Sequence, residues 1–145
     1  MTESFVTAID HVGVAVADLE AAIAWYDEHL DMVLTHQETN EEQGVREAML
    51  APRTPDAAAG AALQVLAPLN DQSTIAKFLD RNGPGIQQMA YRVTDIEGIS
   101  AKLRDKGVRL LYDAPRRGTA ESKINFIHPK DAGGILVELV EPARS

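Results

Sequence analysis

Residues 10–20 read DHVGVAVADLE, and residues 87–97 read QQMAYRVTDIE, so that His11 matches Gln88 at a shift of 77 positions. Both copies predict a short apolar strand that leads, through an aspartate N-cap, into an amphipathic helix. A second match joins LQVLAP at residues 63–68 to VELVEP at residues 137–142, 74 positions later. Self-similarity at a nearly fixed spacing indicates that the chain contains two similar halves.

The same order of elements, β-α-β-β-β, is predicted in each half. Asp18 is expected to cap the first helix, which ends at residue 30, and Gly107 is expected to follow the helix at 95–106. Loops are expected at 52–60 and 115–118. The predicted strands lie at residues 8–16, 32–37, 44–50 and 61–67, and again at 86–93, 108–112, 122–128 and 134–140.

These elements predict an α+β fold in which two tandem β-α-β-β-β modules form a curved mixed sheet around a shared cleft. The modules cover about residues 5–69 and 86–142, and a linker helix at about 71–82, capped by Ser73, joins them. Half of the chain is too short to cover a hydrophobic core alone. The whole chain, residues 1–145, is therefore expected to form a single domain.

Composition narrows the classes of function. The chain is 45% hydrophobic and 25% charged, which is ordinary for a soluble globular protein. A net charge of −8 argues against nucleic acid or an anionic membrane as partner. The absence of cysteine excludes disulfides and thiolate chemistry and fits a reducing compartment. Without a signal peptide or a long apolar run, the chain is expected to be a soluble cytoplasmic protein.

The repeat also selects four polar side chains on apolar strands: His11 and Gln64 in the first half, Gln88 and Glu138 in the second. A buried polar group without a partner costs about 1–3 kcal/mol, so four such groups at equivalent places point to a common partner. One nitrogen and three oxygen donors suit a divalent cation such as Co²⁺, Mn²⁺, Ni²⁺ or Mg²⁺. The cleft is therefore predicted to bind a metal, although each residue alone also fits a structural role.

Glu47 lies on a predicted strand where it shares one face with Val45 and Met49. If that face is turned to the cleft, the carboxylate is suited to proton transfer. The alternative is an edge strand on which Glu47 is solvated and paired with a lysine.

Arg116, Arg117, Lys123 and Lys130 make the region after residue 115 basic within an acidic chain. A phosphate-bearing substrate could use this charge, and a solvated loop is the other explanation.

Six segments are distinctive: DHV at 10–12, NEEQGV at 40–45, QVLAPL at 64–69, GVRLLY at 107–112, INFIHPK at 124–130 and LVEL at 136–139. In these segments the chain resembles the methylmalonyl-CoA epimerases, a family of the vicinal oxygen chelate (glyoxalase) superfamily. The resemblance covers nearly the whole chain, with one departure: the family usually has a His-His pair where this chain has Gln87-Gln88.

The resemblance implies an isomerase that interconverts the C2 epimers of methylmalonyl-CoA, a small-molecule acyl-CoA, and works as a homodimer. It implies a cobalt-type divalent metal held by His11, Gln64, Gln88 and Glu138. Glu47 is the implied catalytic base, and Glu138 or Glu141 is expected to act as the second acid/base.

Two other activities fit the same fold. A glyoxalase-type lyase or isomerase also moves a proton beside a metal, but usually has a carboxylate at the position of Gln64. A metal-free, drug-sequestering protein needs neither Glu47 nor the four polar positions. An iron dioxygenase is disfavoured, because its metal site requires two histidines and a carboxylate, and His11 is the only histidine among the four repeated positions.

Overall fold

The computed structural model describes residues 4–54, 56 and 60–144. Two short 3-10 helices, Thr119–Glu121 and Pro129–Asp131, lie in the second half. The helices and strands, in chain order, are β1 (Val6–Ala15), α1 (Leu19–Leu30), β2 (Met32–Asn40), β3 (Val45–Pro52), β4 (Ala62–Pro68), α2 (Thr74–Asn82), β5 (Gly85–Val93), α3 (Ile96–Asp105), β6 (Arg116–Arg117), β7 (Lys123–Ile127) and β8 (Val137–Glu141).

The chain divides into two compact units. The first unit comprises His11–Gln87, and the second comprises residues 4–10 together with 88–144. Strand β1 thus contributes its second half to the first unit and its first half to the second.

In the first unit the strand order is β2-β3-β4-β1, with β1 and β4 parallel and the other pairs antiparallel. Helix α1 packs on one sheet face, where Leu19 from the helix meets Leu50 and Val65 from the strands. The helix begins because the Asp18 carboxylate accepts a hydrogen bond from the Ala21 N–H at 3.0 Å. The opposite face is covered at one end by Ile75 of α2, whose own N-cap is Ser73.

In the second unit the order is β5-β8-β7-β6, with β5 and β8 parallel and the other pairs antiparallel. Helix α3 packs on one sheet face through Ile96 and Ile99, which meet Leu139. The opposite face carries a smaller apolar cluster that includes Ile124 and Val140. In each unit, therefore, α1 or α3 covers one sheet face, and the opposite face is covered only in part by the apolar clusters named above.

The α+β class and the order β-α-β-β-β in both modules are confirmed. The predicted caps Asp18 and Ser73 accept the expected backbone N–H groups, and Gly107 follows α3 in the left-handed region at φ 82°. Of the predicted loop at 52–60, residues 55 and 57–59 lie outside the described part of the chain.

The predicted strand at 108–112 is wrong. Only Leu110 makes a bridge there, to Ile127, flanked by backbone hydrogen bonds of 2.9 Å from Leu111 N–H to the Phe126 carbonyl and from His128 N–H to the Arg109 carbonyl. The pairing ends at Tyr112, because the Asn125 side chain takes both of its backbone hydrogen bonds. The short strand β6 lies instead at Arg116–Arg117, within the predicted loop.

Strand β8 also begins later than expected, at Val137 rather than residue 134. Gly133 and Gly134 have φ values of 69° and 88°, which are incompatible with an extended strand. Among the described helices, none combines the length and the apolar character that a bilayer crossing requires.

Candidate active site

Three of the predicted site residues share one sheet face of the first unit. Gln64 pairs in register with Gly13 and Met49, so the side chains of His11, Gln64 and Glu47 all lie on the face opposite α1. All three are buried, with exposed fractions of 3%, 3% and 4%.

Glu47 is held by a neighbouring amide. The Gln64 Nε2 donates a hydrogen bond of 3.0 Å to the Glu47 Oε2. Strand β3 lies between β2 and β4, so Glu47 is not on an edge strand. Of the two alternatives for this residue, the solvated one is therefore wrong, and a carboxylate buried on an inner strand is the arrangement present.

The second unit contains a similar pair. Gln88 and Glu138 lie on the sheet face opposite α3, next to the small residue Ala90, which pairs in register with Glu138. The Gln88 Nε2 donates to the Glu138 Oε1 at 2.8 Å. Both residues are buried, with exposed fractions of 6% and 5%. Each unit thus has one carboxylate and one amide in direct contact, on the sheet face opposite α1 in the first unit and opposite α3 in the second.

Glu141, the alternative second acid/base, has a different position. It follows Glu138 by three residues and therefore points to the other face of β8. Its Oε1 accepts a hydrogen bond of 2.9 Å from the Ile96 N–H, in the first turn of α3. Glu141 accepts a hydrogen bond from a free N–H group at the start of α3, on the sheet face that this helix covers. It is therefore not part of the candidate site.

Asn125 is a residue whose importance the sequence analysis missed. Its side chain is fully buried and makes three hydrogen bonds. The Oδ1 accepts from the N–H groups of Tyr112 and Phe126 at 3.1 and 2.8 Å, and the Nδ2 donates to the Tyr112 carbonyl at 3.0 Å. The sequence offered one indication of this role: Asn125 is a polar residue within the apolar run Ile124–Ile127, and a buried amide needs hydrogen-bond partners. Its partners fix the segment that precedes β6.

The donor chemistry of the four predicted ligands fits a divalent cation. An imidazole, two amides and a carboxylate are borderline to hard donors, and all four are buried. The amides that bond Glu47 and Glu138 carry no charge, so they do not neutralise these carboxylates. Within residues 4–54, 56 and 60–144, no cluster of three or more His, Cys, Asp or Glu side chains is arranged as a metal site. The predicted set contains only two residues of those types.

A family model described as the glyoxalase/bleomycin resistance protein/dioxygenase superfamily matches residues 10–126. The crystal structure of methylmalonyl-CoA epimerase from Mycobacterium tuberculosis is 58% identical in sequence. The alignment covers 99% of this chain and 93% of that one, with a TM-score of 0.92.

Two further relatives agree. A glutamine-to-alanine variant of Streptomyces coelicolor methylmalonyl-CoA epimerase, in complex with 2-nitronate-propionyl-CoA, is 44% identical. Its alignment covers 96% of this chain and 99% of that one, with a TM-score of 0.89. An ethylmalonyl-CoA/methylmalonyl-CoA epimerase of Cereibacter sphaeroides is 35% identical, over 90% of this chain and 95% of its own. The chain therefore belongs to the glyoxalase/bleomycin resistance protein/dioxygenase superfamily and, within it, to the methylmalonyl-CoA epimerases.

Proposed function

We propose that this protein is a methylmalonyl-CoA epimerase, an isomerase that inverts the configuration at C2 of its acyl-CoA substrate. The observation that carries the proposal is the pair of buried carboxylates, Glu47 and Glu138, each held by the amide of a glutamine. Relatives of the same fold at 58% and 44% identity have this activity in their names.

The reaction requires two acid/base groups with different tasks. The C2 hydrogen of methylmalonyl-CoA lies between a thioester carbonyl and a carboxylate, and its removal leaves a planar centre. Inversion follows when one group takes the proton from one face and another group returns a proton to the opposite face. We assign one task to Glu47 and the other to Glu138, since Glu141 serves α3. A carboxylate has two oxygens, so one oxygen of Glu138 would bind a metal while the other exchanges the proton.

The hydrogen bonds to the two carboxylates support this assignment. Gln64 holds one carboxylate oxygen of Glu47, and Gln88 holds one of Glu138. Both glutamate side chains therefore have a fixed orientation before substrate binds. A catalytic group in a defined position avoids the entropy cost of being ordered during the reaction. Their burial also limits competition from water at the reacting atom.

Metal dependence is general in this superfamily and among its epimerases. We propose His11, Gln64, Gln88 and Glu138 as the ligands and Co²⁺ as the metal, with Mn²⁺, Ni²⁺ and Mg²⁺ as alternatives. When bound, such a cation supplies Lewis-acid stabilisation of the negative charge that develops as the C2–H bond breaks. The glyoxalase alternative is disfavoured, because Gln64 stands where that activity usually has a carboxylate.

The test is proton NMR of each pure methylmalonyl-CoA epimer in D₂O with metal-loaded protein. Both epimers are expected to incorporate deuterium at C2 and to converge on the same mixture. Protein treated with a chelator, and the exposed-site variant Glu28→Gln in metal-loaded form, are the controls. Retention of the C2 hydrogen in both epimers would contradict the proposal and favour a non-catalytic binding protein. The homodimer and the cytoplasmic location stay predictions from the sequence.

A further inference from the structure

We propose that Phe126, Tyr112 and Arg116 form a subsite for the phosphate-bearing arm of the acyl-CoA, continuing outward from Glu138 along the second unit. In this subsite the two aromatic rings contact the apolar part of the arm and the Arg116 guanidinium binds a phosphate group. The proposal rests on the proposed function and adds to it the residues that recognise the substrate's carrier.

The register of the strands places the subsite beside the acid/base residue. Phe126 lies directly opposite Glu138 in the β7–β8 pair, and side chains so paired have Cβ atoms about 5 Å apart. Arg116 lies opposite Ile124, two residues before Phe126, and therefore points to the same face of the sheet. Arg117, the next residue, points to the other face.

Ring contacts then connect Phe126 to Arg116. The rings of Tyr112 and Phe126 meet edge to face with centroids 6.0 Å apart. The Arg116 guanidinium lies 3.9 Å from the centroid of the Tyr112 ring. Exposure rises along this series, from buried Glu138 through half-buried Phe126 and Tyr112 to exposed Arg116. An acyl-CoA has a comparable sequence of groups: a reacting thioester, a pantetheine arm whose methylene and methyl groups alternate with two amides, and phosphates beyond that arm.

The surrounding contacts make the subsite rigid. Asn125 binds both backbone groups of Tyr112, and the Arg104 Nη2 donates to the carbonyls of Tyr112 and Asp113 at 2.9 and 3.2 Å. A guanidinium that lies over a ring has several N–H donors directed away from the ring centre, and these can bind phosphate oxygens. A preformed site of this kind loses little entropy when ligand binds.

Charge explains why such a residue is needed. The chain has a net charge of −8 and would repel an anionic substrate unless a cation lies along its path. Arg116 is the arginine of β6 that faces the same way as Glu138.

The experiment compares Arg116→Leu with the matched control Arg117→Leu, which removes the same charge from the opposite face of the same strand. Each variant is assayed with methylmalonyl-CoA and with the methylmalonyl thioester of N-acetylcysteamine, which lacks the phosphates. For Arg116→Leu we expect KM for the CoA thioester to rise about tenfold and kcat to stay within twofold. We expect KM for the truncated thioester to be unchanged, and Arg117→Leu to leave both constants near wild type.

Binding of free CoA by isothermal titration calorimetry gives a second readout that does not depend on activity. Weaker CoA binding by Arg116→Leu, with intermediate binding by Arg116→Lys, supports the subsite. If wild-type protein binds CoA in this way but does not epimerise methylmalonyl-CoA, the proposed function is wrong and the subsite stands. Equal effects of Arg116→Leu and Arg117→Leu, or equal loss with both thioesters, overturn the subsite. Thermal unfolding of each variant confirms that the fold is retained.

Discussion

Replacement of Glu47 by glutamine separates the two acid/base groups. The substitution keeps the size of the side chain, and its amide oxygen can still accept the hydrogen bond that Gln64 donates. What is lost is the ability to take a proton. A positioned general base contributes about 10²–10⁴-fold to a rate, so epimerisation should fall by a factor in that range.

The effect on stability should be small. A charge-assisted hydrogen bond becomes a neutral one, at a cost of about 1 kcal/mol, and the relief of a carboxylate that is only 4% exposed offsets part of that cost. For a chain of this length, about 1 kcal/mol corresponds to roughly 2–4 °C in Tm. Metal content should match that of wild type, because Glu47 is not among the four proposed ligands.

The informative assay is deuterium incorporation from each pure epimer. With Glu138 as the remaining base, the variant should exchange the C2 hydrogen of one epimer and return deuterium to the same face, without inversion. The other epimer should retain its hydrogen. Glu28→Gln, an exposed substitution on α1, should behave as wild type. Exchange of both epimers at wild-type rates in Glu47→Gln would refute the two-carboxylate mechanism.

Three further changes test the fold, an ion pair and the metal site. Asn125→Ala removes three buried hydrogen bonds and should lower the unfolding free energy by about 3 kcal/mol, measured by urea denaturation; a loss below about 1 kcal/mol would contradict its role in fixing Tyr112. Hydrogen bonds from Arg109 lower the pKa of Asp131 from 3.8 to about 2. A carboxylate whose pKa is lower in the folded than in the unfolded state stabilises the fold at any pH above its unfolded pKa, and this stabilisation is lost as the pH falls through the folded pKa. Asp131→Asn should therefore lower Tm at pH 6, and its difference from wild type should shrink as the pH falls from about 4 to about 2, in thermal melts followed by circular dichroism. A difference that does not change with pH would exclude the ion pair as its source. Gln88→His exchanges an amide for an imidazole and should tighten Co²⁺ binding at least tenfold in a chelator competition assay, whereas unchanged affinity would remove residue 88 from the ligand set.

Much of the fold follows from the repeat, because two sequences that share an apolar strand and an aspartate cap are constrained to the same local structure. The same reasoning located the buried polar positions His11, Gln64, Gln88 and Glu138, since a polar residue inside an apolar strand is conspicuous in a sequence. That these residues form amide-to-carboxylate pairs was not predictable. Pairing depends on strand register, which β3 and β4 fix only once they are assembled.

The errors arose where a side chain competes with the backbone. Residues 108–112 have the composition of a strand, yet Asn125 uses the backbone groups that a strand would pair. Glu141 was a plausible acid/base from its proximity to Glu138 in the chain, but alternation along β8 turns it to α3. The first case required knowledge of which side chain lies across the strand, and a single sequence does not contain it. In the second case the odd spacing of Glu138 and Glu141 along one strand already indicates opposite faces.

The two halves differ at the places where an epimerase requires a difference. A reaction that removes a proton from one face of a carbon and returns it to the other needs two groups that are not interchangeable. The position that matches Glu47 in the second half, 77 residues later, is Ile124, a buried hydrocarbon. The carboxylate of the second half stands instead at Glu138, which matches Gln64 in the first. Each half thus keeps one buried carboxylate on the face opposite α1 or α3, but on a different strand, β3 in one and β8 in the other; Glu38, which pairs with Glu47 on the same face, is only half-buried. If the carboxylates stood at matching positions, the repeat alone would account for them. Because they do not, selection for two distinct proton-transfer groups is the simpler explanation, and the one-epimer exchange expected of Glu47→Gln is its direct consequence.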